Sequence, residues 1–118
     1  MTTEAKTLAT TYFSAWKDKD FQTLRSVLAD DVTFAGPMGT ADGADECVTG
    51  MEGMSKRMDD IVIHAVVADG SDVITWYDLH MTGVEPLPTA NWSHVEDGKI
   101  TSIHATFDPR PMLEPSDK

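Results

Sequence analysis

Hydrophobic positions early in the chain recur at intervals of four. Leu8, Tyr12 and Trp16 form the line, and Ala5, Ala9 and Phe13 widen it. Such spacing gives an α-helix one apolar face. The pattern predicts a helix capped by Thr3 and running to about Lys17. Lys17-Asp18-Lys19-Asp20 then interrupts it, and Asp20 is placed to cap a short second helix. Phe21, Leu24, Val27 and Leu28 supply the buried face of that helix, and Asp30-Asp31 ends it. Val32-Thr33-Phe34 reads as a short strand. Gly36-Pro37-Met38-Gly39 reads as irregular chain, because proline cannot donate to a ladder and glycine weakens one. Helical spacing returns from Ala44 to about Met58, with Cys47, Met51, Met54 and Met58 on one side. Gly50 and Gly53 each cost such a helix about 1 kcal/mol relative to alanine, so it needs packing to hold it.

The second half alternates instead. Strands are expected over Ile61–Ala68, Val73–Thr82, Thr89–Val95 and Lys99–Phe107. Asp69-Gly70-Ser71-Asp72 and Asp97-Gly98 carry hairpin-turn chemistry, and 83–88 is a loop with two prolines. Period-two alternation sorts these strands into two faces. Val73, Thr75, Tyr77, Leu79 and Met81 share one face with Asn91, Ser93, Val95, Ile103, Ala105 and Phe107. Trp76, Asp78 and His80 share the other with Trp92, His94, Ser102 and His104. Helices first and an antiparallel meander later make an α+β layout.

Composition narrows the partners. The 118 residues suit one domain over 1–118, with a core from about 3 to 110 and a loose, proline-rich tail over 111–118. A net charge of −11 makes nucleic acid and anionic membrane surfaces poor partners. No apolar run is long enough to span a bilayer, and the N-terminus does not read as a signal peptide. The lone cysteine, Cys47, permits no intrachain disulfide and no multi-thiolate metal site. A reducing cytoplasm is the expected location.

Tyr12-Phe13-Ser14-Ala15-Trp16 followed by Asp20-Phe21, Leu28-Ala29-Asp30-Asp31-Val32-Thr33-Phe34, and Asp97-Gly98-Lys99-Ile100 with Phe107-Asp108 together resemble the nuclear transport factor 2-like, or SnoaL-like, superfamily. The resemblance covers about residues 3 to 110. It implies a cone-shaped fold in which a curved antiparallel sheet wraps around N-terminal helices. It does not fix a function, because this fold hosts isomerases, cyclases, epoxide hydrolases, ligand carriers and dimerisation modules. In its ketosteroid isomerase branch, a tyrosine and a protonated aspartic acid donate to an enolate oxygen while another aspartate moves the proton. The resemblance puts Tyr12 at the tyrosine position, Asn91 at the late-strand acid and Gly36 at the proton-moving residue. Asn91 retains a donor, but glycine carries no proton.

A cavity is therefore expected, lined by Trp16, Phe34, Met38, Met51, Met54, Tyr77, Ile103, Ala105 and Phe107, with Tyr12 and Asn91 as its polar tips. An apolar wall with a few convergent polar groups suits a small apolar molecule. His64, on an alternating run of undetermined parity, is the remaining candidate proton carrier, since histidine titrates near neutrality. Two functions stay open. One is cofactor-free acid–base chemistry, an isomerase, cyclase or hydrolase acting on a carbonyl or epoxide compound, with Tyr12, Asn91 and His64 as its catalytic groups. The other is a non-catalytic ligand-binding or dimerisation domain. No phosphate loop, nucleophile elbow or zinc-protease motif calls for a cofactor. Three neutral imidazoles can hold zinc, but the spacing gives His80, His94 and His104 no reason to converge, and no metal is expected. The same aromatic face (Trp76, His80, Trp92, His94, His104) is too apolar for a solvated surface and is expected to form a homodimer.

Overall fold

The computed structural model describes residues 2–113, with side chains from 5 to 111. Helix α1 (Thr2–Lys17) and helix α2 (Phe21–Ser26) come first, then strand β1 (Leu28–Gly36) and strand β2 (Gly39–Asp42). Helix α3 (Ala44–Ser55) leads into strands β3 (Met58–Asp69), β4 (Asp72–Met81), β5 (Leu87–Glu96) and β6 (Lys99–Thr106), and a short helix α4 (Arg110–Leu113) follows. The six strands form one curved sheet in the order β2-β1-β6-β5-β4-β3. Every pairing is antiparallel except β1–β6, which is parallel, so the sheet is mixed. The extra residues at Ile63/Ala65 and His94/Val95 are β-bulges, which bend strands and increase their twist.

The apolar stripe of α1 does what its spacing requires. Ala5, Ala9, Tyr12, Phe13 and Trp16 are buried against the concave face of the sheet. The helix contains Thr2, so Thr3 lies inside it rather than at its cap. Asp20 does cap α2: its carboxylate accepts from the Thr23 N–H at 3.2 Å and the Thr23 hydroxyl at 2.7 Å. Leu24 and Leu28 are buried as expected, but α2 stops at Ser26 and Leu28 already opens β1. The reason lies in the sheet. Ile100 donates from its N–H to the Val27 carbonyl at 2.9 Å, and Leu28 stands opposite Ile100 in the ladder. Pairing with β6 therefore captures residues that look like the end of a helix.

Two further boundaries differ. Gly36 and Gly39 pair across a Pro37-Met38 turn, so the stretch read as irregular is a hairpin. Met58 belongs to β3, where it is buried opposite Met81, and not to α3. The Asp97-Gly98 turn holds φ values of 53° and 75°, as a two-residue hairpin of this twist demands. Residues 111–113 of the expected loose tail are helical, and 114–118 lie outside the described residues. No helix among the described residues is long and apolar enough to cross a membrane.

Leu24 joins α2 to the core with no side-chain exposure. Leu24→Ala is expected to lower unfolding stability by about 2–5 kcal/mol, as buried leucine truncations do. Urea unfolding followed by circular dichroism measures it.

Candidate functional site

The concave face of the sheet, α1 and α3 enclose a cavity of about 240 Å³. Tyr12 and Trp16 reach it from α1, Cys47, Met51 and Met54 from α3, and Tyr77, Leu79, Asn91 and Ala105 from the sheet. Phe34, Met38 and Phe107 stand at the side where the β1–β2 hairpin runs, and Met38 is half exposed there. Alternation explains the strand contributions. On β4 and β5 every second residue is buried, so Tyr77, Leu79 and Asn91 share one face. On α3, Cys47, Met51 and Met54 fall at i, i+4 and i+7, one face of a helix.

The polar end of the cavity is built around Asn91, which is 2% exposed. Ser93, two residues along the same strand face, donates its hydroxyl to Asn91 Oδ1 at 3.0 Å. That contact orients the carboxamide and leaves its N–H groups facing the Tyr12 and Tyr77 hydroxyls, both of which it hydrogen-bonds. Each phenol oxygen is thereby an acceptor, and each keeps its own proton to donate. Burial pushes the pKa of both tyrosines up, with the Asn91 bond opposing it in part; for Tyr12, Cys47 and Tyr77 add to the upward push. Both are neutral donors at physiological pH. The Cys47 thiol is pushed up to about 11 by burial, so it too stays protonated.

The rings are fixed by their neighbours. Tyr12 meets Phe13 edge-on with centroids 4.9 Å apart, and Phe13 packs against Tyr77 at 4.8 Å. The Trp16 indole N–H donates to the Met51 carbonyl at 3.1 Å, which ties α1 to α3 along the wall. No buried side-chain polar atom among the described residues lacks a partner. No carboxylate, imidazole, ammonium or guanidinium group lines this cavity among the described residues.

Ten of the residues singled out from sequence thus come together around one space. Two do not. Ile103 faces inward but is fully buried in the core rather than at the cavity wall. His64 is on the opposite side of the sheet, its Nε2 3.0 Å from Asp78 Oδ2 and its side chain 44% exposed. The bulge between Ile63 and Ala65 accounts for this. Two consecutive residues face outward there, so alternation read back from the second half of β3 gives the wrong face. Sequence reading missed Thr40 and Ala41, which line the cavity from β2. A four-residue strand of Gly-Thr-Ala-Asp carries no strand signal of its own. Gly36 sits beside the wall, where an added Cβ would lie 3.2 Å from the Phe34 ring. A side chain at that position requires the Phe34 ring to give by a few tenths of an ångström.

The outer face is chemically distinct. Trp76 and Trp92 are each 46% exposed, and Val62, Val67 and Ile74 are exposed beside them. Trp92 stacks on His104 with centroids 5.4 Å apart and donates its N–H to Asp72 at 2.9 Å. His94 lies between Asp72, 2.7 Å from Nδ1, and Glu96, 3.1 Å from Nε2. Asp72 first, then Glu96, raises the His94 pKa. Among the described residues no group of three histidine, cysteine or carboxylate side chains is placed to hold a metal ion.

N-terminal helices packed against a curved six-stranded mixed sheet are the architecture of the nuclear transport factor 2-like class. The family model for the SnoaL-like domain matches residues 9–103, and the chain belongs to that family. An NTF2-like protein of unknown function from Cytophaga hutchinsonii is 33% identical, with 93% of this chain and 95% of that one aligned at a TM-score of 0.85. A protein from Kribbella flavida is 30% identical over 89% of this chain and 87% of its own, with a TM-score of 0.84. An LEH-like epoxide hydrolase of M. tuberculosis is 26% identical over 95% of this chain and 88% of its own, with a TM-score of 0.80. No curated protein matches the chain.

Asn91→Ala is expected to cost about 1–3 kcal/mol, because it leaves the Ser93 hydroxyl and both phenols without their buried partner. Denaturant unfolding measures the loss, and a difference within error would show that the three hydroxyls satisfy one another without the amide.

Proposed function

We propose that this domain binds a small, neutral, apolar molecule carrying one hydrogen-bond-accepting oxygen, such as a ketone, aldehyde or epoxide. The observation that carries the reading is the composition of the cavity wall: converging neutral donors at one end, and no charged side chain among the described lining residues. A charged ligand would lose its hydration without gaining a counter-ion there. A neutral oxygen instead meets the Tyr12 and Tyr77 hydroxyls. The volume of about 240 Å³ is below the ~300–1,000 Å³ of pockets that hold drug-sized ligands, which favours compact compounds. Met38, Met51 and Met54 give the wall the adaptability of unbranched thioethers.

A cofactor-free enzyme is the second reading, and the 26% identity to an LEH-like epoxide hydrolase favours it. Polarising an epoxide or carbonyl oxygen is within reach of these donors. General acid–base catalysis also needs a group that gains and loses a proton near the working pH, within hydrogen-bond reach of the substrate. The titrating groups of the wall, Tyr12, Tyr77 and Cys47, are all held in their protonated forms. Binding is therefore the better-supported function. The buried, unpaired thiol of Cys47 suits the reducing cytoplasm as its place of work.

We also read the outer sheet face as the contact between two copies of the chain. Two half-exposed tryptophans of ~250 Å² each leave on the order of 200 Å² of aromatic surface in water, before Val62, Val67 and Ile74 are added. With those aliphatic side chains the patch reaches roughly the few hundred Å² at which the largest apolar patch of a domain is often functional.

A thermal-shift panel of monoterpenoid ketones and epoxides, aromatic aldehydes and the matching alkanes and carboxylates tests the binding reading. A ligand present at about 100 times its Kd adds about 2.7 kcal/mol of stability and raises the Tm. Ketones or epoxides are expected to stabilise the protein and the alkanes and carboxylates to do less. Tyr12→Phe is expected to weaken the best ligand about tenfold, the loss of roughly one hydrogen bond. Stabilisation by carboxylates alone would overturn the reading, and multiple turnovers of a bound epoxide would decide for the enzyme. For the interface, Trp76→Glu is expected to convert a dimer into a monomer in sedimentation analysis while leaving the Tm near that of the parent monomer.

A further inference from the structure

Helix α3 carries two glycines in its interior, Gly50 and Gly53. Each costs the helix about fivefold in its folding equilibrium relative to alanine. Two ordinary reasons for a glycine are absent at both. Positive φ, which favours glycine, occurs at neither. Beyond the adjacent residues and the helix's own backbone, no atom of the described residues lies within 4 Å of where either Cβ would stand. The backbone therefore accepts a side chain at both positions, and the packing leaves space for one. They differ in one respect: Gly50 lines the cavity and Gly53 does not. Nothing in the structure explains the glycine at 53.

We propose that Gly50 is a specificity-determining residue, whose missing side chain leaves the cavity room for the bulkier of the neutral ketones and epoxides it takes. This role rests on the binding reading, and adds to it which residue sets the size of ligand admitted.

Helix spacing gives the placement. Cys47, Gly50 and Met54 fall at i, i+3 and i+7 on α3, along one side of the helix, and all three line the cavity. Cys47 is buried, Met54 is half-buried and Gly50 is exposed. Gly50 thus lies on the flank of the apolar stripe where the cavity meets solvent. Met38, Gly39 and Thr40 of the β1–β2 hairpin line the cavity and are exposed as well. The mouth therefore runs between that hairpin and α3. The hydrogen-bonding groups lie deeper: Tyr12, Asn91 and Tyr77 are 1%, 2% and 3% exposed. A ligand whose oxygen rests on the two phenols directs the rest of its body toward the mouth, past Gly50. Gly39 also borders the mouth, but its φ of 144° is a backbone reason for glycine that Gly50 lacks.

A side chain at this position intrudes on that path. Long side chains on a helix lean back over the preceding turn. The leucine of Gly50→Leu therefore lies over the turn that carries Cys47, across space open to a ligand. Crowding grows with the bulk of the ligand, as overpacking does in a core. Stability and binding then move in opposite directions: the fold gains from a better helix former, and the bulky ligand loses its room.

Calorimetric titration with cyclohexanone and with camphor, a small and a bulkier cyclic ketone, tests the role on the parent chain, Gly50→Leu and Gly53→Leu. Gly50→Leu is expected to raise the camphor Kd about tenfold or more and the cyclohexanone Kd less than about threefold. Gly53→Leu is expected to leave both at the parent value. Urea unfolding of Gly50→Ala and Gly53→Ala is expected to show both stabilised, each by about fivefold in the unfolding constant. Camphor bound equally well by the parent and Gly50→Leu overturns the role and keeps the binding reading. So does a parent that binds cyclohexanone but not camphor, and so does an equal loss for the two ketones, which would mean that the side chain disrupts the cavity as a whole. A Gly50→Ala chain less stable than the parent also overturns the role, because the glycine would then serve the fold. Binding of neither ketone by the parent overturns the binding reading and the role of Gly50 together.

Discussion

A carboxamide buried in an apolar interior must have its hydrogen bonds met, and at Asn91 that requirement organises the polar part of the cavity wall. Its carbonyl is taken by Ser93 and its N–H groups by two phenols from different elements, Tyr12 on α1 and Tyr77 on β4. The arrangement ties helix to sheet at the cavity wall. It also fixes what the site can offer. Phenols that accept from an amide are left as donors, and burial keeps them neutral. The same interaction that stabilises the fold thus sets the chemistry a ligand meets.

Much of this was legible in the sequence because the two periodicities are clean. The 3.6-residue stripe of α1 and the two-residue alternation of β4, β5 and β6 both survive folding, so residues such as Trp16, Tyr77, Asn91 and Ala105 are found where the pattern puts them. What was not legible depends on partners distant in sequence. Leu28 reads as the end of a helix until β6 is beside it. Gly39–Asp42 becomes a strand only because β1 folds back through Pro37-Met38. Ile103 has the right parity for the cavity, but the space in front of it is filled.

The two faces of the sheet divide the chemistry between them. The concave face holds neutral donors, thioethers and aromatic rings. The convex face holds the histidines, their carboxylate partners and the exposed tryptophans. No histidine is found among the residues that line the cavity.

The bulge at Ile63/Ala65 is what maintains that division along β3. It puts the two halves of one strand out of phase. In a chain lacking Ile63, alternation would run unbroken from Ile61 to Ala68, and His64 would be turned to the concave side, toward the level of Tyr77. A single-codon deletion, with no new side chain introduced, would then bring an imidazole toward the face that carries Tyr77 and Asn91. In this fold, which groups face the cavity can be decided by strand phase rather than by a change of residue.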